Sequence, residues 1–387
     1  MFPATLAHRR WTAPTRWLPS APWLLIAAVA GLTLLGWLGI ARSEELAGAP
    51  GRYFARQTVW TFLAAGVMTV VAAPNYRRFL PWAYVAFGLS LLLLVAVYAF
   101  PPVNGAQRWL RLGPISAQPS EFAKPACVVA LARYLIYRDS YRRLVGLAAP
   151  LGLVFVPMLL VLKEPDLGAA LVYLPVLFLM LYAAGARRRH LALLALAAVM
   201  TLPLIWSHMS REQRSRVTAL AEQTGGGETP TDDGYHLHQA KQVMALGGRW
   251  GSLLAGEPVS DRSAYFVPEA RTDSIVSVLV ERLGLWGLAL LLTLFALLVG
   301  EGLRIARATQ EPFGRLIAVG VSALFAVQAA INAGMMVGLA PITGLALPLV
   351  SYGGSSLVAN GVCLGLLVNV ARRPGYEIGP EPFQFDP

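Results

Sequence analysis

Phe266-Val-Pro-Glu-Ala-Arg-Thr-Asp-Ser-Ile275 runs without a break into a stretch that is apolar at nearly every position up to Val299. A run of about 20 such residues is long enough to cross a bilayer as a helix. The junction places one acid, Asp273, where a long polar loop meets the membrane. A carboxylate there is costly, so such residues are rare and usually functional. The competing reading is a solvated interfacial Asp.

The rest of the chain repeats the pattern. Of 387 residues, 56% are hydrophobic and only 14% charged, against about 25% charged in a soluble protein. We therefore read one all-α polytopic membrane domain over 1–387. The expected spans are 21–41, 58–73, 79–100, 121–137, 144–162, 168–184, 190–207, 275–299, 313–337 and 351–371. Ten spans leave both termini on one side. That side carries Arg9, Arg10 and Arg16, then Arg77-Arg78, Arg138, Arg142-Arg143, Arg187 to Arg189, Arg304, Arg307 and Arg372-Arg373. The excess of arginine marks it as cytoplasmic. Tails 1–20 and 372–387 then lie inside, and the one long loop, 208–273, lies outside. The first span reads as retained, because no cleavage site follows it.

The net charge of +11 comes almost wholly from arginine in short loops, a pattern of topology and lipid contact. No aromatic-interleaved basic patch points to nucleic acid. Cys127 and Cys363 fall inside spans and read as small core residues. In the long loop, a flexible tip at 225–234 precedes an amphipathic helix near 235–246, stopped by Gly247-Gly248. His236 and His238 are two apart, a spacing that does not serve one metal, and they are set aside.

Four polar clusters fall on the outer side. If the eighth span begins near Thr272, Ser277 and Glu281 continue the stripe of Asp273. Glu281 and Arg282, adjacent and pointing apart, each need a partner, and ion pairs with neighbouring helices would supply it. Gln118-Pro-Ser-Glu-Phe-Ala-Lys124 opens the fourth span. Glu121 and Lys124 share one face there, either as a self-satisfied pair or as a head-group ligand. Lys163-Glu-Pro-Asp-Leu-Gly168 is a tight turn. Its Glu164 and Asp166 are either solvated ends or ligands for sugar hydroxyls or a divalent cation, Mg or Mn, although the spacing alone argues little for metal. Pro341 to Ser356 is uncharged and irregular at membrane depth, which requires burial or a cavity. Ser351, Gly353 and Gly354 could donate to an anion there. Arg108, beside Trp109, is an interfacial anchor or a bidentate phosphate ligand.

Together these residues resemble the SEDS family (shape, elongation, division and sporulation) of RodA/FtsW-type peptidoglycan polymerases. The resemblance rests on Gly105-Ala-Gln-Arg-Trp109, Gln118-Pro-Ser-Glu121 with Lys124, Glu164-Pro-Asp-Leu-Gly168, Tyr235-His236 with Gln239, Pro268-Glu269 with Thr272-Asp273, Gln328 with Asn332, and Pro341 to Ser356. It implies a glycosyltransferase that polymerises lipid II on the outer face of the bacterial cytoplasmic membrane. Asp273 is then catalytic, and Arg108, Glu121 and Lys124 line the outer cavity. The implied partners are a class B penicillin-binding protein (a transpeptidase), undecaprenyl-pyrophosphate-linked glycan, and other elongation or division proteins. Gly105 to Trp109 leans to the elongation branch, and Pro268-Glu-Ala270 to division. The chain departs from the family pattern at Arg271, Ser274, Arg282, Ala346 and the run Gly247-Gly-Arg-Trp-Gly251.

The chemistry agrees. An α-linked pyrophosphate replaced by a β-1,4 bond implies one inverting displacement. It needs one base, Asp273, and cations for the leaving group, Arg108, Lys124 and Arg271. A lipid II flippase is the main alternative, but it needs polar residues through the full depth of a path, and the inner halves of the spans are almost wholly apolar. A non-catalytic scaffold is the third reading.

Overall fold

Each expected span is occupied by a helix in the computed structural model, which describes residues 22–48, 51–102, 107–112, 115–138, 140–209, 214–218 and 233–375. In chain order they are α1 (Trp23–Leu46), α2 (Arg52–Ala72), α3 (Ala83–Ala96), α4 (Pro119–Tyr137), α5 (Ala148–Lys163), α6 (Leu167–Ala183) and α7 (Arg188–His208). The long loop 208–273 contributes α8 (Asp233–Gly247) and the short α9 (Gly251–Ala255). The last three spans are α10 (Ile275–Ala308), α11 (Pro312–Val337) and α12 (Gly354–Arg372). Six of the helices are long and apolar enough to cross a membrane by length and composition, and two more, Ala83–Ala99 and Leu167–Ala183, are shorter and apolar. Large apolar side chains such as Leu34, Phe62, Val70, Leu92 and Met200 point outward. In a soluble protein that surface would be a liability; here it faces lipid. The expected tails, apart from 372–375, and most of the tip at 225–234 lie outside the described residues.

The core is organised around α11, which touches α4, α6, α8, α10 and α12, while α12 runs along α2 and α1 along α10. Its buried side includes Phe313, Ile317, Val321, Leu324, Phe325, Gln328 and Asn332, a helical stripe that ends in two amides. A short hairpin, β1 (Leu110–Leu112) with β2 (Ile115–Ala117), leads into α4, with Leu110 opposite Ala117 and Arg111 opposite Ser116. The sequence reading did not include this hairpin.

α4 begins at Pro119, with Gln118 as the residue that precedes and caps it. Two expectations change in detail. α10 begins at Ile275 rather than Thr272, because residues 269–274 form a turn of their own. α10 is also broken at Gly284 (φ 68°, ψ −160°). The reason for the break is backbone contact. The Leu285 N–H donates to the Gly248 carbonyl at 3.1 Å. A Cβ on Gly284 would lie 2.4 Å from the Arg249 carbonyl oxygen, and one on Gly251 would lie 2.3 Å from that of Arg282. The run Gly247 to Gly251 therefore docks the long-loop helix α8 onto α10 with backbone meeting backbone at Gly247, Gly251 and Gly284.

That junction is fastened by charge. Arg42 of α1 donates to both carboxylate oxygens of Glu281, at 3.0 and 2.8 Å. It also meets Glu257 at 2.8 Å and Glu45 at 3.1 Å. Arg42 is 2% exposed and Glu281 0%. The expected ion pair for Glu281 is thus with α1, and Glu281 does not extend an open stripe from Asp273.

Candidate active site

Asp273 is carried by the turn between Glu269 and Ser274. Glu269 sits in left-handed backbone (φ 50°), which is unfavourable for a residue with a side chain. Its carbonyl offsets this by accepting from the amides of Thr272 (3.1 Å) and Ser274 (3.2 Å), and its carboxylate accepts from the Thr272 hydroxyl at 3.0 Å. The Pro341–Gly353 segment grips the same turn. The Ser351 hydroxyl donates to the Thr272 carbonyl at 2.5 Å and accepts from Leu347 N–H at 2.9 Å. The Tyr352 N–H donates to the Arg271 carbonyl at 2.8 Å. From α11, the amide of Asn332 donates to the Asp273 carbonyl at 3.0 Å and to the Leu345 carbonyl at 2.7 Å. Gly344 (φ +66°) comes so close that a Cβ there would lie 3.2 Å from Asp273 Oδ2 and 3.9 Å from the guanidinium of Arg216.

The carboxylate is half-buried and opens on a cavity of about 40 Å³ lined by His236, Leu237, Glu269, Ser274, Met335, Met336 and Ile342. Burial is the main cause that pushes its pKa up to about 7. Glu269 and Asp166 push the same way, while Arg216 and Arg108 oppose them. A carboxyl poised near neutrality is suited to act as a base.

Glu164 and Asp166 flank this region in different states. Asp166 caps α6 through Ala169 N–H (3.1 Å) and accepts from the Gln118 amide (3.1 Å). Glu164 is 0% exposed, and neither of its carboxylate oxygens has a hydrogen-bond partner. Burial, then Asp166, pushes its pKa up to about 8, against the pull of Arg108. Arg108 donates to the backbone carbonyls of Glu164 (2.9 Å) and Pro165, so it clamps this turn. Among the described residues, no three His, Cys, Asp or Glu side chains are grouped to hold a metal ion.

Other candidates are engaged in the structure. Lys124, 3% exposed, pairs with Glu121 at 2.8 Å and donates to Gln328 Oε1 at 3.0 Å. Arg271 stacks over Tyr53, 4.2 Å from its ring centre. Gly353 N–H donates to Gln57 Oε1 at 3.3 Å, and Gly354 abuts Trp60. The Ser351 hydroxyl is taken up in holding the Asp273 turn. The Pro341 to Ser356 segment thus turns its polar groups inward, as irregular backbone at membrane depth must.

Three residues of the site carry no role in the sequence reading. Arg216 ends a polar run of the long loop, Arg211-Glu-Gln-Arg-Ser-Arg216, yet its charge reaches Asp273. Asn332 entered the sequence reading only through its motif with Gln328, with no role given to it. His236, set aside as a metal ligand, lines the cavity beside Asp273; its pairing with Tyr235 in one motif was the available clue.

A model for the "Cell cycle protein" family of FtsW, RodA and SpoVE matches residues 18–375. The chain is 36% identical over 361 residues to the "Probable peptidoglycan glycosyltransferase FtsW" of Geobacter sulfurreducens, covering 90% of this chain and 94% of the relative. It is 37% identical over 308 residues to the "Peptidoglycan glycosyltransferase MrdB" of Escherichia coli K12, covering 79% and 81%. Among solved structures, the rod shape determining protein RodA of Thermus thermophilus superposes with a TM-score of 0.67 at 29% identity, over 92% of this chain and 98% of that one. A chain from a structure described as "Structural coordination of polymerization and crosslinking by a peptidoglycan synthase complex" gives 0.78 at 32% identity, over 92% and 98%. The protein is a multi-pass membrane protein and belongs to the FtsW/RodA/SpoVE family.

Proposed function

We propose that the protein is a peptidoglycan glycosyltransferase that polymerises lipid II at the outer face of the bacterial cytoplasmic membrane, with both termini inside. The observation that carries this reading is Asp273: a carboxyl near neutrality, fixed by its backbone, facing a cavity at the outer end of the bundle. The names of the FtsW and MrdB relatives support the activity. The Gly105 to Trp109 motif leans toward elongation, while relatives named for both branches match at similar identity.

In the proposed reaction the Asp273 carboxylate takes the proton of the acceptor 4-hydroxyl. The oxygen attacks the anomeric carbon of the donor sugar from the face opposite the pyrophosphate. The carbon–oxygen bond to pyrophosphate breaks, its electron pair leaves with undecaprenyl pyrophosphate, and the sugar inverts. Arg108 and Arg216, whose charges reach Asp273, lie where they can stabilise the departing anion, with Arg271 at the rim. His236 and Glu269 line the acceptor side. Glu121 and Lys124, Glu164 and Asp166, and Ser351, Gly353 and Gly354 act as the frame around these groups. The complex described for the solved neighbour couples polymerisation to crosslinking, which supports a class B penicillin-binding protein as the partner.

The test is polymerisation of labelled lipid II by the full chain co-purified with that transpeptidase. Asp273→Asn at equal expression should yield no glycan ladder, since general-base help is worth about 10²–10⁴ in rate. Equal ladders from both proteins would remove Asp273 from the mechanism.

A further inference from the structure

We infer that Asn332 is the positioning residue of this site: one buried amide holds the Asp273 turn and the Gly344–Leu345 segment in a fixed relation. The inference rests on the polymerase reading only for its kinetic consequence. Its structural content is independent of that reading.

Asn332 is 0% exposed, so it cannot touch a substrate. It projects from α11, the central helix, whose preceding turn carries Gln328, the partner of Lys124. Its amide nitrogen has two protons and gives them to two carbonyls from segments 72 residues apart in the chain, those of Asp273 and Leu345. Neither carbonyl is in a helix. The two segments are the ones that meet at the carboxylate, where Gly344 approaches Asp273 Oδ2. Asn332 therefore sets how far the carboxylate stands from the glycine backbone and how much water reaches it. Ser351 holds the neighbouring carbonyl, that of Thr272. It does so from the Pro341–Gly353 segment itself, so it cannot reference that segment to the helical core. Asn332 alone makes that link on the Asp273 carbonyl among the described hydrogen bonds.

The chemistry of the side chain matters. Asp at 332 would turn acceptor oxygens toward two carbonyls. Ser would keep one donor at shorter reach, and Leu would fill the volume with no donor. A displacement of about 1 Å at a reacting group costs about 10²-fold in rate.

The experiment uses the full chain with its transpeptidase in lipid nanodiscs, comparing wild type, Asn332→Ser and Asn332→Leu at matched thermal midpoints. Two readouts are taken: polymerisation kinetics on lipid II, and carbodiimide labelling of Asp273 followed by mass spectrometry. Asn332→Leu should lower kcat by about 10²-fold with KM unchanged and raise Asp273 labelling several-fold; Asn332→Ser should fall between. The acid limb of the rate profile should move to lower pH, because water admitted to the turn relieves the burial of Asp273. Asp273 labelling at the wild-type rate in both variants overturns the inference, whatever the kinetics show. A raised KM at constant kcat also overturns it. If wild type makes no polymer but labelling still responds to the variants, the positioning role stands and the polymerase reading falls.

Discussion

The rate of glycan synthesis should depend on pH in a way that an ordinary aspartate would not produce. Asp273 is a base only when ionised, and its pKa is pushed up to about 7, first by burial and then by Glu269 and Asp166. The ionised fraction is then about one half at pH 7, about nine tenths at pH 8 and about one tenth at pH 6. The turnover rate should fall about tenfold from pH 8 to pH 6. An Asp at its usual value of about 3.9 would give a flat rate over that interval. Two substitutions fix the sign. Glu269→Gln removes a charge that raises the pKa, so the acid limb should move to lower pH. Arg216→Gln removes a charge that lowers it, so the limb should move to higher pH. The assay is the initial rate of polymerisation at saturating lipid II, in mixed buffers of constant ionic strength. Repeating it with His236→Asn separates the other titratable group that lines the cavity with Asp273 and Glu269. A flat wild-type profile, or two charge variants that shift the limb in the same direction, would refute the assignment of Asp273 as the titrating base.

The Arg42–Glu281 pair should be costly to halve. Arg42→Ala leaves Glu281 buried and unpaired and should cost about 3–5 kcal/mol, read as a lower thermal midpoint in detergent, whereas Arg42→Met with Glu281→Leu should recover most of it. Gly284→Ala should abolish folded, monodisperse protein, since its Cβ would meet the Arg249 carbonyl oxygen at 2.4 Å; normal yield would show that the two backbones can part. Glu164, with its pKa raised to about 8 and an ordinary value of 4.5, is protonated when folded and ionised when unfolded between those limits. Its contribution to stability is complete below pH 4.5 and is lost as pH rises through 8, at up to about 1.4 kcal/mol per pH unit. Glu164→Gln should flatten the thermal midpoint over this range and raise it most at pH 8; an unchanged slope would show that water reaches the carboxyl.

The spans were legible because hydropathy at bilayer length is a local property of the sequence, and Ile275 to Val299 alone declares it. The outer helix was legible from Leu237, Ala240 and Val243, buried at helical spacing, and from the glycines that stop it. The break at Gly284 was not, because it depends on contact with Gly251 and Arg249, over thirty residues away. Glu281 and Arg282 showed that partners were needed, yet nothing local named Arg42. The polar clusters were found as clusters, but their direction was not encoded by spacing. Ser351 points into the Asp273 turn and Lys124 into Gln328, and both facts follow from packing of distant helices. Asp273 could be singled out because a carboxylate at a membrane boundary is anomalous by itself. Asn332 and His236 entered only as members of motifs, and no role could be assigned to either, since a buried amide and a long-loop histidine carry no chemistry of their own until the fold brings them to the acid.

The distribution of satisfied charge bears on which chemistry the bundle can support. In the helix turns nearest the long loop, Glu121 with Lys124, and Arg42 with Glu281, are buried pairs at 2.8 Å. Near the arginine-rich side, Glu301 meets Arg304 at 2.6 Å, and Glu311 caps α11 through Gly314 N–H. Groups so paired offer nothing to a polar head crossing the bilayer, and parting them would strand a buried charge at a cost of several kcal/mol. Beside these pairs, the Glu164 carboxylate has no hydrogen-bond partner among the described residues, and Asp273 keeps its carboxylate toward a cavity while the backbone of its turn is tied down on three sides. A translocation path would distribute unsatisfied polar groups through the depth of the membrane. Here the one buried carboxylate without a hydrogen-bond partner among the described residues, Glu164, and the cavity-facing Asp273 lie at the same face, and that arrangement favours bond formation at the surface over passage through the bundle.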